Sequence, residues 1–268
     1  MQLNYNCILG EYLKEELIDI IKQASLIFKD GYYSTKTIDF KAKKDLVTQY
    51  DIAVENFLKE QLSISFPSFN IIAEESDNSD IEFNNSIIID PIDGTTNFVH
   101  GVPHCAISVG VYKNKKPYIG VVYNPILDEL FFAQVGCGAT LNGKKIEVNS
   151  QDDFQKALIA TGFPYSGATN MDDLNIVIDN LHRILPLCQD IRRFGSAALD
   201  LCYVAKGMFS GYYEINLKAW DMSAGVIILS ESGGKVTNQL NQLHNIFDDK
   251  YIIATNSLIH EDLVRMIK

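Results

Sequence analysis

The chain has 268 residues, 47% hydrophobic and 21% charged. That is the balance of an ordinary globular protein, which excludes a disordered, collagen-like or coiled-coil chain and leaves material for a sizeable core. Lys and Arg total 23 against 34 Asp and Glu, a net charge of −11, so a broad basic face for nucleic acid is excluded. No run approaches the roughly 18 consecutive apolar residues of a membrane span. The N-terminus has no basic stretch followed by an apolar one, so no signal peptide is expected. Cys7, Cys105, Cys137, Cys188 and Cys202 form no CxxC pair. They read as buried reduced thiols of a cytoplasmic protein, not as a zinc site or a disulfide framework.

Leu13, Leu17, Ile20, Ile21, Ala24, Ile27 and Phe28 recur at helical spacing and predict an amphipathic helix over 11–29. Residues 32–45, with Lys36, Lys41, Lys43 and Lys44, read as a mobile loop or an exposed hairpin. A second helix is expected over about 51–63, then buried strands over 70–73 and 87–89. Three β-rich runs, 106–112, 118–123 and 129–134, are punctuated by Asn114, Pro117 and Asn124-Pro125 and predict an antiparallel meander. Asn142-Gly143 is a turn signal. Beyond it, strands are expected over 157–161, 209–213, 235–237 and 251–254. Helices are expected over 171–184, 196–205, 222–232 and 257–267. Strands and helices interleave without strict βαβ order, which places the chain in the layered α/β or α+β class.

Four places set a carboxylate at the end of an apolar element: Asp51, Glu74-Glu75, Asp90 with Asp93, and Asp221. Read alone, each has a local role. Thr48-x-x-Asp51 fits a capping box, Glu74-Glu75 a solvated strand end, Asp93-Gly94 a turn and Asp221 a helix N-cap. The segment 90–97, DPIDGTTN, resists this best. Three isoleucines drive a strand inward, Asp90 closes it, and the bend at Pro91 lets Asp93 point to the same side. Two such carboxylates repel unless a cation lies between them. Carboxylate and carbonyl oxygens with neither Cys nor His suit a hard ion such as Mg²⁺. Gly94-Thr95-Thr96 then begins a turn or helix whose N–H groups suit a phosphate.

Residues 90–101, DPIDGTTNFVHG, resemble the defining signature of the inositol monophosphatase family. DLVTQYD (45–51), AEES (73–76), GSAALDL (195–201), YYE (212–214) and WDMSAG (220–225) follow in that family's order and spacing, and the likeness covers about 11–268. The resemblance implies a layered αβαβα sandwich of the inositol monophosphatase/fructose-1,6-bisphosphatase type. It implies one domain over 1–268, with sub-regions of about 1–150 and 151–268, working as a homodimer. It further implies Mg²⁺-dependent, lithium-sensitive hydrolysis of a phosphorylated polyol or sugar with two or three Mg²⁺ ions. By resemblance, Glu74, Asp90 and the Ile92 carbonyl match the ligands of a first metal, and Asp90, Asp93 and Asp221 those of a second. A third ion would lie near Glu74. Asp51 and Thr95 match the pair that positions and deprotonates the attacking water. Gly94, Thr95 and Thr96 match phosphate contacts, and Gly195, Ser196, Ala197, Glu214 and Asp221 line the substrate side.

The same resemblance leaves fructose 1,6-bisphosphate, histidinol phosphate, NADP and 3′-phosphoadenosine nucleotides as alternative substrates. A protein-binding member with secondary catalysis is the alternative class. Ala73 stands where a glycine is common, residues 36–44 do not align cleanly, and Lys218-Ala219 precedes Trp220-Asp221 where members vary. His100 and His104 are expected as satisfied polar or dimer-contact residues, Trp220 as packing beneath Asp221, and Tyr212-Tyr213 as sheet core. Arg192 and Arg193 are expected either in ion pairs or reaching the substrate.

Overall fold

The computed structural model describes residues 2–42, 45–79, 82–164 and 170–267. Five layers alternate helix and sheet. The first holds α1 (Gln2–Tyr33) and α2 (Gln49–Ser65). Between them in sequence, β1 (Ile38–Ala42) and β2 (Asp45–Thr48) pair antiparallel. The lysine-rich stretch is therefore a hairpin, the second of its two expected forms. Its Lys43 and Lys44, the side chain of Lys41 and that of Cys7 lie outside the described residues.

The second layer is a seven-stranded sheet in sequence order: β3 (Asn70–Ala73), β4 (Ser86–Asp93), β5 (Ala106–Lys113), β6 (Lys116–Asn124), β7 (Glu129–Gln134), β8 (Gly138–Leu141) and β9 (Lys144–Ile146). Only β3 and β4 pair parallel; the rest is the expected meander, extended by β8 and β9 around the Asn142-Gly143 turn. The isoleucines of β4 divide between two cores. Ile87 and Ile89 pack with Leu17, Ile21, Val54 and Leu58 of α1 and α2, and Ile88 faces the opposite side. Period-two alternation makes this inevitable in a strand buried on both faces.

That opposite side holds α5 (Ala197–Ala205) and α6 (Ala219–Glu231), the middle layer. Gly110 of β5 lies opposite Gly120 of β6. A Cβ at Gly110 would strike Ser223, and one at Gly120 the Ala224 carbonyl. The paired glycines form a trough in which α6 lies close against the sheet. The helix begins at Ala219, not at the expected Met222, with Lys218 as N-cap and Asp221 as its third residue.

The fourth layer is a five-stranded sheet, β11-β10-β12-β14-β13, formed by β10 (Leu158–Thr161), β11 (Asp190–Arg192), β12 (Gly211–Ile215), β13 (Lys235–Thr237) and β14 (Tyr251–Thr255). Tyr212 faces the middle layer, whereas Tyr213 and Ile215 face a third core with Val177 and Ile184 of α4 (Met171–Ile184) and Leu263 of α7 (His260–Met266). No described helix is long and apolar enough to cross a membrane.

Candidate active site

The site gathers at one end of β4, where four further elements arrive. In a regular strand, residues three apart face opposite sides. The ladder with β5 slips between Asp90, opposite Ser108, and Asp93, opposite Ala106. Three steps on β4 thus match two on β5, the signature of a bulge. The extra residue brings both carboxylates toward the middle layer, where the sequence relied on Pro91 alone. Gly94 follows with φ +90° and caps α3 (Thr95–His100). A left-handed residue here turns the chain sharply, and glycine adopts it without Cβ strain. The first N–H groups of α3, on Thr95, Thr96 and Asn97, have no carbonyl within their own helix to accept them.

Asp51 is fully buried. It completes the capping box of α2 by accepting from the Thr48 N–H at 2.8 Å and the Thr48 hydroxyl at 2.5 Å. Its other oxygen lies 3.0 Å from Thr95 Oγ1. The capping role and the catalytic expectation therefore coincide, because a carboxylate has acceptor sites enough for both. Thr95 Oγ1 also lies 3.1 Å from the Ile92 carbonyl, so its single proton chooses between two acceptors. Burial raises the Asp51 pKa, and the Thr48 and Thr95 hydrogen bonds oppose that rise.

Asp90 is buried beside Glu74, Asp93 and Asp221. Burial, then repulsion from Glu74, Asp93 and Asp221, holds its carboxyl well above the ordinary range, and it shares a hydrogen bond with Glu74. Asp221 is likewise held well up by burial and by Glu74, against the opposing Lys218 N–H, which donates at 2.6 Å. Asp93 accepts from the Ser196 hydroxyl and, at 2.9 Å, from the Ala198 N–H at the start of α5. Burial pushes its pKa up to about 7 despite these donors.

Among the described residues, no three His, Cys, Asp or Glu side chains form a ready-made metal cage. The donor chemistry nevertheless fits a hard divalent cation. The donors are oxygens only, and Asp90, lifted by Glu74, Asp93 and Asp221, and Asp221, lifted by Glu74 and Asp93, carry a repulsion that a cation relieves.

Glu214 comes from β12, far along the chain. The spacing Tyr212-x-Glu214 puts both on one face of the strand, and the Tyr212 hydroxyl donates to Glu214. Tyr212 is thus core, as expected, and also a donor to a site carboxylate, which its core role concealed. Burial raises Glu214 to about 7, Asp200 adds to the rise, and Tyr212 and Arg193 oppose it. Gly162, just beyond β10, lies against this carboxylate; a Cβ there would fall on it. The two arginines take different roles. Arg192 makes a half-exposed ion pair with Asp190 at 2.6 Å. Arg193 lies against Gly195 and over the Phe163 ring, 5.4 Å from its centroid.

Ser196 is buried, caps α5 and turns its hydroxyl onto Asp93. Asn97 ties α3 to the loop before α5, donating to the His104 and Phe194 carbonyls at 2.7 Å each. Neither clamp was legible beforehand, since each joins segments about a hundred residues apart; the cue for Asn97 was a lone amide beside the carboxylates and threonines of 90–96. His104 is buried, with Nε2 3.3 Å from Asp200, and burial lowers its pKa to about 4, which keeps it neutral. His100 is exposed. Trp220 is half-buried against the core between the sheets. Cys105 and Cys202 are buried thiols as expected, but Cys188 is half-buried and Cys137 is exposed at the turn between β7 and β8, where no packed side pulls it inward.

The profile of the inositol monophosphatase family matches residues 11–268. The chain is 38% identical over 266 residues to "Inositol monophosphatase 3" of Solanum lycopersicum, spanning 96% of this chain and 97% of that protein. It is 34% identical over 266 residues to "Fructose-1,6-bisphosphatase/inositol-1-monophosphatase" of Aquifex aeolicus, spanning 96% and 97%. The crystal structure of the extragenic suppressor protein suhB from Bartonella henselae superposes with a TM-score of 0.89 at 35% identity, over 96% of this chain and 98% of that one.

Proposed function

The chain belongs to the inositol monophosphatase family, and we propose that it is a Mg²⁺-dependent phosphomonoesterase acting on inositol-1-phosphate or a related polyol or sugar phosphate. One observation carries the reading: Glu74 crowds Asp90 and Asp221 and, with burial, helps hold both carboxyls above their ordinary range, beside a Thr95 hydroxyl fastened to buried Asp51. Crowding of this kind is unfavourable for folding alone and becomes useful when positive charge is bound.

Glu74, Asp90, Asp93, Asp221 and the Ile92 carbonyl would hold the ions. Bound there, Mg²⁺ supplies Lewis-acid stabilisation of the phosphoryl oxygens and of the leaving alkoxide, and lowers the pKa of water. The side chains do the rest. Thr95 Oγ1 accepts a hydrogen bond from the attacking water and hands its own proton toward Asp51. Burial makes Asp51 a stronger base than a surface aspartate. The free N–H groups at the start of α3 face the phosphate oxygens. Glu214 accepts from a substrate hydroxyl, and the fit of a buried acceptor to a hydroxyl discriminates strongly against ligands that lack one.

A sugar bisphosphate is the second substrate class, favoured by the exposed cationic Arg193 beside Glu214 and by the dual name of the Aquifex relative. On the family resemblance, the chain acts as one unit and as a cytoplasmic homodimer.

The test is phosphate release from inositol-1-phosphate, fructose 1,6-bisphosphate, histidinol phosphate, NADP and 3′-phosphoadenosine 5′-phosphate, with Mg²⁺, with chelator, and with added Li⁺. Mg²⁺-dependent, Li⁺-inhibited turnover of the polyol or sugar esters is expected. A preference for a nucleotide above about tenfold in kcat/KM, worth ~1.4 kcal/mol at the transition state, overturns the substrate assignment. Absence of Mg²⁺-dependent release from every ester overturns the enzyme.

A further inference from the structure

α2 carries a second buried carboxylate that neither the sequence motifs nor the proposed chemistry uses. Glu55 stands one helical turn after Asp51, and residues four apart share a helix face. The residue is 2% exposed. A carboxylate this deep needs partners, and both lie on the loop that follows β3. Oε2 accepts from the Glu75 N–H at 2.7 Å, and Oε1 from the Ser76 hydroxyl at 2.5 Å. Lys59, a further turn along α2, donates to Ser76 Oγ at 2.5 Å and stands 3.9 Å from Glu55. The loop held in this way begins with Glu74, whose own N–H reaches the Ile89 carbonyl at 3.3 Å.

We infer that Glu55 is a positioning residue for Glu74: it fixes the 74–76 loop from α2 so that the Glu74 carboxylate is presented to Asp90 for divalent-cation binding. One face of α2 then sets two parts of the site, Thr95 through Asp51 and Glu74 through Glu55. The inference rests on the metal-dependent reading of the site given above. A loop without this clamp would present Glu74 across a wider range of positions, and cation binding would have to order it. Support of this kind for a metal ligand is typically worth about 10–100-fold in metal affinity.

The test uses the full chain with Glu55→Gln and, separately, Ser76→Ala. Gln keeps the shape and one acceptor for the Glu75 N–H, but turns a donor toward Ser76. Two readouts are taken: the rise in Tm caused by Mg²⁺ without substrate, and the Mg²⁺ concentration giving half-maximal activity. For Glu55→Gln, both should shift toward about tenfold higher Mg²⁺, with kcat at saturating Mg²⁺ and KM for the ester within about threefold of wild type. Ser76→Ala, which removes one arm of the clamp, should shift both in the same direction by a smaller factor, and it decides the matter if Glu55→Gln does not fold. A folded Glu55→Gln or Ser76→Ala protein with a lower metal-free Tm but an unchanged Mg²⁺ midpoint overturns the inference, leaving Glu55 a structural clamp. If wild type itself shows neither a Mg²⁺-induced rise in Tm nor Mg²⁺-dependent turnover, the metal-dependent reading has failed and the positioning role goes with it.

Discussion

Replacing Asp51 by Asn changes one atom at the point where the proposed proton path ends. In the native site the carboxylate accepts three hydrogen bonds, at 2.8 and 2.5 Å from Thr48 and 3.0 Å from Thr95. An asparagine oriented to keep its oxygen on the two Thr48 donors turns its NH₂ toward Thr95. The Thr95 hydroxyl then keeps the Ile92 carbonyl, 3.1 Å away, as its acceptor. The base is gone while the fold is spared. Loss of a positioned general base costs about 10²–10⁴-fold in rate, or ~3–5 kcal/mol at about 1.4 kcal/mol per tenfold.

Stability should hardly change. The Asp51 pKa is raised in the fold, mainly by burial, so its stabilising contribution is full below the unfolded-state pKa and is lost as pH rises through the folded one. At neutral pH the ionised group weakens the fold, and the neutral amide removes that penalty while losing about one hydrogen bond, ~0.5–1.5 kcal/mol. The expected Tm change is within roughly 4 °C. The assay is single-turnover phosphate release at saturating Mg²⁺, with a double-mutant cycle to Thr95→Ala. The two losses should not multiply, because the residues act as a unit. A kcat for Asp51→Asn within about threefold of wild type, or fully multiplicative losses, would refute the coupling of Thr95 to Asp51.

Four further outcomes concern the substrate side. Gly162→Ala puts a methyl group where the Glu214 carboxylate lies; it should raise KM for a hydroxyl-rich ester by about tenfold, the scale of one lost polar contact, and leave the Mg²⁺ midpoint alone, as titration of both quantities will show. Arg192→Ala breaks a half-exposed ion pair and a local hydrogen bond to the neighbouring Ile191 carbonyl and should alter Tm and kinetics within error, since such pairs are worth ~0–1 kcal/mol. Arg193→Ala should lower kcat/KM for a bisphosphate more than for a monophosphate; equal losses would remove Arg193 from substrate selection. Glu214 has its pKa raised to about 7 by burial, so its stabilising contribution is full below the unfolded-state pKa and disappears as pH rises through about 7. In chelator, the Tm of wild type relative to Glu214→Gln should therefore fall between pH 5 and 8, and a flat difference across that range would contradict the assignment.

The first half of the site was legible because its residues lie close together in sequence. Asp90, Ile92, Asp93 and Thr95 occupy six consecutive positions, and the hydrophobic run before them announces a buried strand. Asp51 was legible twice, as capping residue and as candidate site residue, and it makes both the capping-box hydrogen bonds and the contact to Thr95. The bulge was not legible, because a register slip depends on the partner strand as much as on β4. Nor were the short strands β8, β9 and β11, which have too few residues to show a period. Glu55 had a signal: a second acid at i+4 from the candidate base Asp51, on the face that must be buried. It was passed over because the apolar positions of α2 already explained the helix.

The site carboxylates divide by what holds them. Asp51, Asp93 and Asp221 each accept from a backbone N–H anchored by their own or a neighbouring helix: Thr48 before α2, Ala198 in α5, Lys218 before α6. Helix starts offer such donors at no added cost, because their N–H groups are unpaired within the helix. Glu74 and Asp90 share a hydrogen bond with each other, and Asp90 takes its backbone donor from its own strand, the Ile92 N–H at 3.1 Å, not from a helix start. That pair has to separate its charges when protons leave, and its geometry is therefore the part of the site that would depend most on a cation, as proposed above. Asp90 is fastened by its place in a strand buried on both faces. Glu74 sits past the end of β3, on a loop tied from within by Asn78 and from outside by Glu55 of α2. The residue whose removal should most change cation affinity without touching a ligand is thus not beside the carboxylates in sequence. It is Glu55, on the helix that already carries Asp51.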